Sequence, residues 1–258
     1  MTYVSYLSAR GLLRNTLIIF LVGALLLAYT CQHALSGHGH FALFHGDDHI
    51  LASITGVAGF FALIVATIRA ASLDVLTRTP AITFTRPLSR TNVALQNFGL
   101  DAATVLIVWI VAIAILIGFV SAIDGFGDLG SPLDALEVGA LMGSVMLMWY
   151  ALVTLLSTLI PGRGGAIVGI SWAVFAVLPG IAQIDFPQPI AGLIHLLLFV
   201  DPLFYLTGWH GSFSFGDHGI EQQKTVIHAG IRSAAAAVIG VIALIAAVQV
   251  WIRKDASA

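Results

Sequence analysis

Histidine is the residue type in this 258-residue chain whose spacing most suggests chemistry. His33 is followed by Gly37-His38-Gly39-His40, then by His45 and His49 with Asp47 and Asp48 between them. His45 and His49 are four residues apart, so they share a face if the helix that follows starts early. Neutral imidazoles beside carboxylates could hold Zn²⁺, Cu²⁺ or Ni²⁺. The candidate ligands are His38, His40, His45 and His49, and His210, His218 and His228 could approach from a later segment. A plainer reading stays open beside it: histidine tolerates interfaces, and Asp47 or Asp48 could simply cap the next helix. No other cofactor is expected to bind the chain directly, and no residue stands out as catalytic. Cys31 is the only cysteine, which excludes an intramolecular disulfide and any zinc site built from several cysteines.

The elements that must position these residues are membrane spans. Hydrophobic residues make up 59% of the chain and charged residues 9%, against about 25% charged in a soluble domain. The mean hydropathy is +0.98. A chain this short of charge cannot cover a water-facing surface, so the bilayer is the expected solvent. The net charge of -2 and the lack of a basic tract point away from nucleic acid.

Gaps between charges locate the spans. No Asp, Glu, Lys or Arg occurs between Arg14 and Asp47, or in 49–68, 102–123, 138–162, 164–184 and 233–252. Each gap is about 20 residues or longer, enough to cross ~30 Å of hydrocarbon. The expected fold is all-α: a single polytopic transmembrane domain over 1–258, with about six spans near 16–35, 50–71, 101–121, 138–160, 165–184 and 232–252. Arg10, Arg14, Arg69, Arg78, Arg86, Arg90 and Arg163 fall on one side of the first five spans, and the loops 36–49 and 122–137 hold no Lys or Arg. By the positive-inside rule the arginine side is cytoplasmic. Both termini are then cytoplasmic, and all nine histidines are outside.

Two regions are less regular. Residues 190–206 could form a seventh span, but the run is short and Asp201-Pro202 interrupts it. An outer helical hairpin over about 187–208, between spans five and six, fits better. The first fifteen residues place Tyr3, Tyr6 and Leu7 on one face with Arg10 and Arg14 a turn apart. They read as an interfacial lead-in helix, or as a frayed basic start. The first apolar run is too long for a cleaved signal core, and Thr30 stands where a lipoprotein would place a small residue before Cys31. It is expected to be a retained helix.

No Asp, Glu, Lys, Arg or His falls near the middle of an expected span. Ion-coupled transporters and voltage sensors place such residues there. The polar inventory is instead Thr154, Ser157, Thr158 and Gln249, which can hydrogen-bond between helices. The sequence has no P-loop: Lys224 follows Gln223, and no glycine precedes Lys224 or Lys254. Gly139-x3-Gly143, Gly165-x3-Gly169 and the run Ser233 to Ala237 with Gly240, Ala243, Ala246 and Ala247 would let backbones approach, within one chain or across a dimer. Pro179-Gly180 should kink the fifth span.

The segment after the second span contains Arg78, Arg86, then Pro87-Leu88-Ser89-Arg90. It resembles the loop of ABC-2-type ABC transporter permeases, where Pro-[hydrophobic]-Ser-Arg precedes a short helix leading into the third span. Asp201-Pro202-Leu203-Phe204-Tyr205 looks like that family's outer hairpin, and Val250-Trp251-Ile252-Arg253-Lys254 is similar to its aromatic-then-basic tail. One departure is Gln96-Asn97, where the family often has Gly-Lys.

The resemblance implies a permease subunit without enzymatic activity of its own. It would pair with a second, identical or related, permease chain and with separate ABC ATPase subunits that bind ATP and Mg²⁺, in a prokaryotic cytoplasmic membrane. Export is what the family usually performs. The cytoplasmic loop over about 74–99 would ride on the ATPase, with Arg78, Arg86, Pro87, Ser89 and Arg90 in the coupling surface. The alternative role for the arginines is to set topology alone. A competing function is a polytopic scaffold, sensor or metal-handling protein built around the outer histidines. A membrane di-iron enzyme is a third: His45-x3-His49 resembles one histidine box, but the paired His-His box such enzymes need is missing.

Overall fold

The computed structural model describes residues 50–71, 90–124, 131–160, 162–181, 187–206, 213–216, 219–222 and 229–254. They form seven helices and one short β-ribbon: α1 (Ile50–Ala71), α2 (Arg90–Asp124), α3 (Pro132–Leu159), α4 (Gly164–Ile181), α5 (Gln188–Leu198), α6 (Pro202–Leu206), β1 (Phe213–Gly216), β2 (Gly219–Gln222) and α7 (Ala229–Lys254).

Four of these helices, α1, α2, α3 and α7, are long and apolar enough to cross a membrane. The expected spans 50–71, 101–121, 138–160 and 232–252 fall on them. Only 33% of the apolar window of α2 and 22% of that of α7 is buried within the chain. Leu106, Ile107 and Ile110 of α2 and Val241, Ile242 and Ile245 of α7 are exposed. Apolar faces this continuous are costly in water and at ease in hydrocarbon, so the chain reads as a multi-pass membrane protein. The expected first span, 16–35, and the lead-in helix lie outside the described residues, as does Cys31.

Helix ends differ from the charge gaps for physical reasons. α3 begins six residues before its expected span because Ser131-Pro132 starts it: proline suits the first helical position and Asp134 complements the dipole in the first turn. α2 runs 35 residues, about 52 Å, and so outruns ~30 Å of hydrocarbon. The expected short helix before the third span is therefore the first part of one continuous helix from Arg90. Between α3 and α4 the chain turns at Gly162, whose φ of 82° is a left-handed conformation suited to glycine. α4 continues through Pro179 to Ile181.

Residues 187–206 are not one helix. α5 is 11 residues long, about 16 Å, half the hydrocarbon thickness. Phe199, Val200 and Asp201 donate to the carbonyls of Leu196, Leu197 and Leu198, three residues back. This tightening ends α5 and turns the chain into α6. Both α5 and α6 pack on α4. The ribbon was not anticipated from the all-α pattern. It pairs Phe213 with Gln222, Ser214 with Glu221, Phe215 with Ile220 and Gly216 with Gly219. Its sequence signs are the Phe213-Ser214-Phe215 alternation and the glycines flanking residues 217–218.

The packing divides into two compact units. The first draws its described residues from Met1–Val65, Thr104–Ala140 and Thr207–Ala229. Its core is Ile54 and Ala58 of α1 against Ala112 and Leu116 of α2, with Val57, Trp109, Ile113 and Ile117 around them. The Trp109 indole Nε1 donates to the Thr55 carbonyl at 3.1 Å. The second unit draws from Ala66–Ala103, Leu141–Leu206 and Gly230–Ala258, and it contains the polar cluster described next.

Candidate functional site

In the second unit, the C-terminal turn of α1 ends Arg69-Ala70-Ala71, and segment 72–89 then leads to Arg90 at the start of α2. Arg69 suits that last turn because a cation complements the helix dipole there. Across from it, Asp101 of α2 is almost fully buried, at 1% exposure. Arg69 Nε donates to Asp101 Oδ1 at 2.8 Å, and Nη2 donates to the same oxygen. The other oxygen, Oδ2, accepts the Tyr150 hydroxyl of α3 at 2.8 Å. One carboxylate thus ties three helices together. The Phe98 ring, one turn before Asp101, stands edge-on to Tyr150 with centroids 6.2 Å apart.

The neighbouring polar groups extend the same seam between α1 and α3. Trp149 Nε1 donates to Thr67 Oγ1 at 2.9 Å, and Ser157 Oγ reaches the Ala71 carbonyl at 3.5 Å. At the start of α4, a side chain on Gly164 would meet the same carbonyl oxygen at 2.9 Å, so the helix ends approach backbone to backbone. These are satisfied polar contacts among apolar residues. They hold α1 and α3 in one register where apolar side chains alone would allow sliding.

Sequence reasoning used Arg69 only for topology and left Asp101 at the edge of a span. The ion pair lies close to the span ends, where the expected absence of charge near mid-span does not reach. A sign was nevertheless present. Arg69 closes the charge gap 49–68 and Asp101 opens the gap 102–123, so adjacent spans carry opposite charges at the same end.

A second polar group sits in the α5–α6 turn. Asp201 is buried. Its Oδ1 accepts the Leu203 N–H at 2.9 Å, capping α6, while Oδ2 meets no hydrogen-bond partner among the described residues. The Tyr205 hydroxyl folds back onto the Phe199 carbonyl at 2.8 Å. Burial raises the Tyr205 phenol above its usual pKa, which keeps it a donor. Arg232, at the start of α7, donates to the Tyr205 carbonyl at 3.4 Å. Of the expected hairpin residues, Asp201, Pro202 and Tyr205 are thus brought together, all buried.

Burial raises the Asp201 carboxyl to about 6, with the Leu203 N–H pulling the other way. The folded chain therefore binds this proton more tightly than the unfolded chain does. Stability from this group is fully present below about pH 4 and is lost as pH rises through about 6. Asp201→Asn keeps the capping oxygen and removes the titration. Relative to this variant, wild type is expected to lose up to about 2 kcal/mol between pH 4 and pH 7.5. Thermal melts in detergent at both pH values check it; parallel curves for the two proteins would refute it.

The other expected site residues, Arg90 apart, are not among the described residues. Arg78, Arg86, Pro87 and Ser89 lie outside the described residues, and Arg90 is placed only as the first residue of α2. His38, His40, His45 and His49 also lie outside them, with His210, His218 and His228. Among the described residues no group of three or more His, Cys, Asp or Glu could hold a metal ion.

No protein-family model, curated protein or solved structure matches the chain. The fold by itself defines a class: a helical chain with, among the described residues, four helices long and apolar enough to cross a membrane.

Proposed function

We propose that the chain is the transmembrane permease subunit of an ATP-driven ABC transporter, an exporter component energised by a separate ATPase chain. The observation that carries the reading is the way α2 begins. Pro87-Leu88-Ser89 runs directly into a helix at Arg90, and that helix continues unbroken through its apolar window. Residues 90–97 precede the window that opens at Phe98, a projection of about 12 Å. A helix that extends rigidly out of the hydrocarbon can receive a push from a partner and carry it inward. The resemblance of Pro87-Leu88-Ser89-Arg90 to the coupling loop of ABC-2-type permeases supplies the partner. The α5–α6 helix–turn–helix, too short to span, fits the outer hairpin of that layout.

On this reading the protein works in a prokaryotic cytoplasmic membrane with both termini inside. A second permease chain completes the path, and ATP with Mg²⁺ binds the ATPase subunits. The coupling surface includes Arg78, Arg86, Pro87, Ser89 and Arg90.

The test is affinity purification in mild detergent, followed by mass spectrometry and an ATPase assay. An ATPase chain recovered in roughly equal amount is the expected result. A lone chain with no nucleotide hydrolysis would remove the reading, and bound metal in that preparation would favour the outer histidines as a sensor or metal-handling site. Given the complex, the double variant Arg86→Glu/Arg90→Glu is expected to insert normally. Its ATPase rate should fall to that of the isolated ATPase, and an unchanged rate would take those arginines out of the coupling surface.

A further inference from the structure

The α5–α6 turn encloses a carboxylate that its surroundings satisfy on one side only. Asp201 is 0% exposed. Its Oδ1 accepts the Leu203 N–H, while Oδ2 meets no hydrogen-bond partner among the described residues. As an anion, Oδ2 carries charge among apolar groups without a donor; as part of a neutral acid it costs less there. We propose that the α5–α6 turn is a proton-controlled clasp, closed on α4 while Asp201 carries a proton and opened when that proton leaves.

The turn is tied to itself around Asp201. The N–H groups of Phe199, Val200 and Asp201 bond three residues back into α5, and the Asp201 carbonyl accepts the Phe204 N–H at 3.2 Å. The Tyr205 hydroxyl reaches back to the Phe199 carbonyl. The Phe204 ring stands 5.3 Å, centroid to centroid, from both Phe199 and Tyr205. Expelling the Asp201 side chain therefore removes the α6 cap and loosens the whole turn. Outward, both helices of the turn pack on α4, and the Tyr205 carbonyl accepts from Arg232 of α7. Opening gives up that bond, so the start of α7 loses a restraint with it.

The charges around the turn leave the proton of Asp201 in control. α4 carries no titratable side chain. α5 carries His195, α6 carries Tyr205, and α7 begins with Arg232, its next charged residue being Arg253. Arg232 keeps its charge throughout this range and donates to the Tyr205 carbonyl, not to Asp201 Oδ2. Tyr205 stays a neutral phenol because burial raises its pKa. Burial raises the Asp201 carboxyl to about 6, so the closed turn binds the proton more tightly than the open one. Closure is fully favoured below about pH 4 and is lost as pH rises through about 6. A difference of about two pH units shifts the opening equilibrium by up to about a hundredfold. With the orientation proposed above, the pH that sets the clasp is that of the outer face.

The test is amide hydrogen exchange of the full chain in detergent at pH 4 and pH 7.5, with Asp201→Asn beside wild type. The amide keeps a capping oxygen and has no proton to release in this range. Comparing the two proteins at each pH cancels the pH dependence of the exchange chemistry itself. At pH 4 they should exchange alike in 199–206. At pH 7.5 wild type should exchange there up to about a hundredfold faster than Asp201→Asn, and faster than its own residues 145–158 of α3. Asp201→Ser, a second cap that does not titrate, should behave as Asp201→Asn does. Histidine also titrates in this range, so His195→Gln is the control, and it should behave as wild type.

The clasp is overturned if the ratio of wild type to Asp201→Asn in 199–206 is the same at both pH values, or if the pH response disappears in His195→Gln. It is also overturned if 199–206 and 145–158 exchange at one rate, which marks unfolding of the whole chain in place of opening at the turn. No ATPase enters these measurements, so the permease reading stands or falls separately.

Discussion

Asp101→Ala is expected to destabilise the protein by about 3–5 kcal/mol. The substitution removes little volume but takes the buried carboxylate away from two polar groups that bond it. The Arg69 guanidinium loses the oxygen that took its Nε and Nη2 donors, and the Tyr150 hydroxyl loses the carboxylate it bonds. The arginine side chain is 13% exposed, so its charge recovers only part of its hydration. Most of the cost is the stranded partners rather than the lost attraction. It follows that removing both charges should hurt less than removing one. Arg69→Met/Asp101→Leu is expected to recover the part of the loss that comes from the arginine, while the Tyr150 hydroxyl still lacks its carboxylate. Thermal melts of the three proteins in one detergent measure both effects. A double variant as unstable as Asp101→Ala would mean that the arginine's loss of its partner contributes little and that the loss at the Tyr150 hydroxyl carries the cost.

The parts of the fold that sequence could reach are those written in short-range pattern. The gap 49–68 led to a span at 50–71, and α1 occupies those residues. Asp201-Pro202 argued against a seventh span, and the chain does break there. The charge-gap reading fails at helix ends, because it measures the stretch that hydrocarbon tolerates while backbone hydrogen bonding continues past it, as α2 shows from Arg90. It also cannot pair residues. Arg69 and Asp101 are 32 positions apart and Tyr150 is 49 further on. No helical or strand period connects them; only the packing of three helices side by side brings them together.

Small-residue motifs were legible as a type and not as a location. Gly165 and Gly169 of α4 have nothing within 4 Å of an added Cβ, and at Gly139 the nearest atoms, Thr55 Cγ2 and the Trp109 ring, would stand at ordinary contact distances of 3.8 and 3.9 Å. Contact demands glycine instead at Gly164, beside the Ala71 carbonyl, and at Gly240, which with Ala236, Ala243 and Ala247 makes the buried stripe of α7. The motif tells which backbones are able to approach; the exposed or buried side of the helix tells which ones do.

Gly240 is accordingly a place on α7 where a single methyl group should do harm. A Cβ there would lie 2.9 Å from both the Cα and the N of Met148 on α3. Those are main-chain atoms and cannot rotate aside, so α3 and α7 must separate. In a membrane that separation matters more than in water, because close packing is what holds apolar helices together against lipid. Gly240→Ala is expected to cost about 1–3 kcal/mol, with Gly240→Leu at or beyond the top of that range. The sign is the informative part. In an exposed helix interior, Gly→Ala gains about 0.8–1 kcal/mol from backbone entropy. Gly139→Ala, with room for its methyl, should therefore be neutral or stabilising while Gly240→Ala is destabilising. Melting temperatures of the two variants, taken together, test the α3–α7 contact without any knowledge of cargo. If both alanines raised the melting temperature alike, the two backbones could not be in contact at Met148, and the buried alanine stripe of α7 would have to face some other surface.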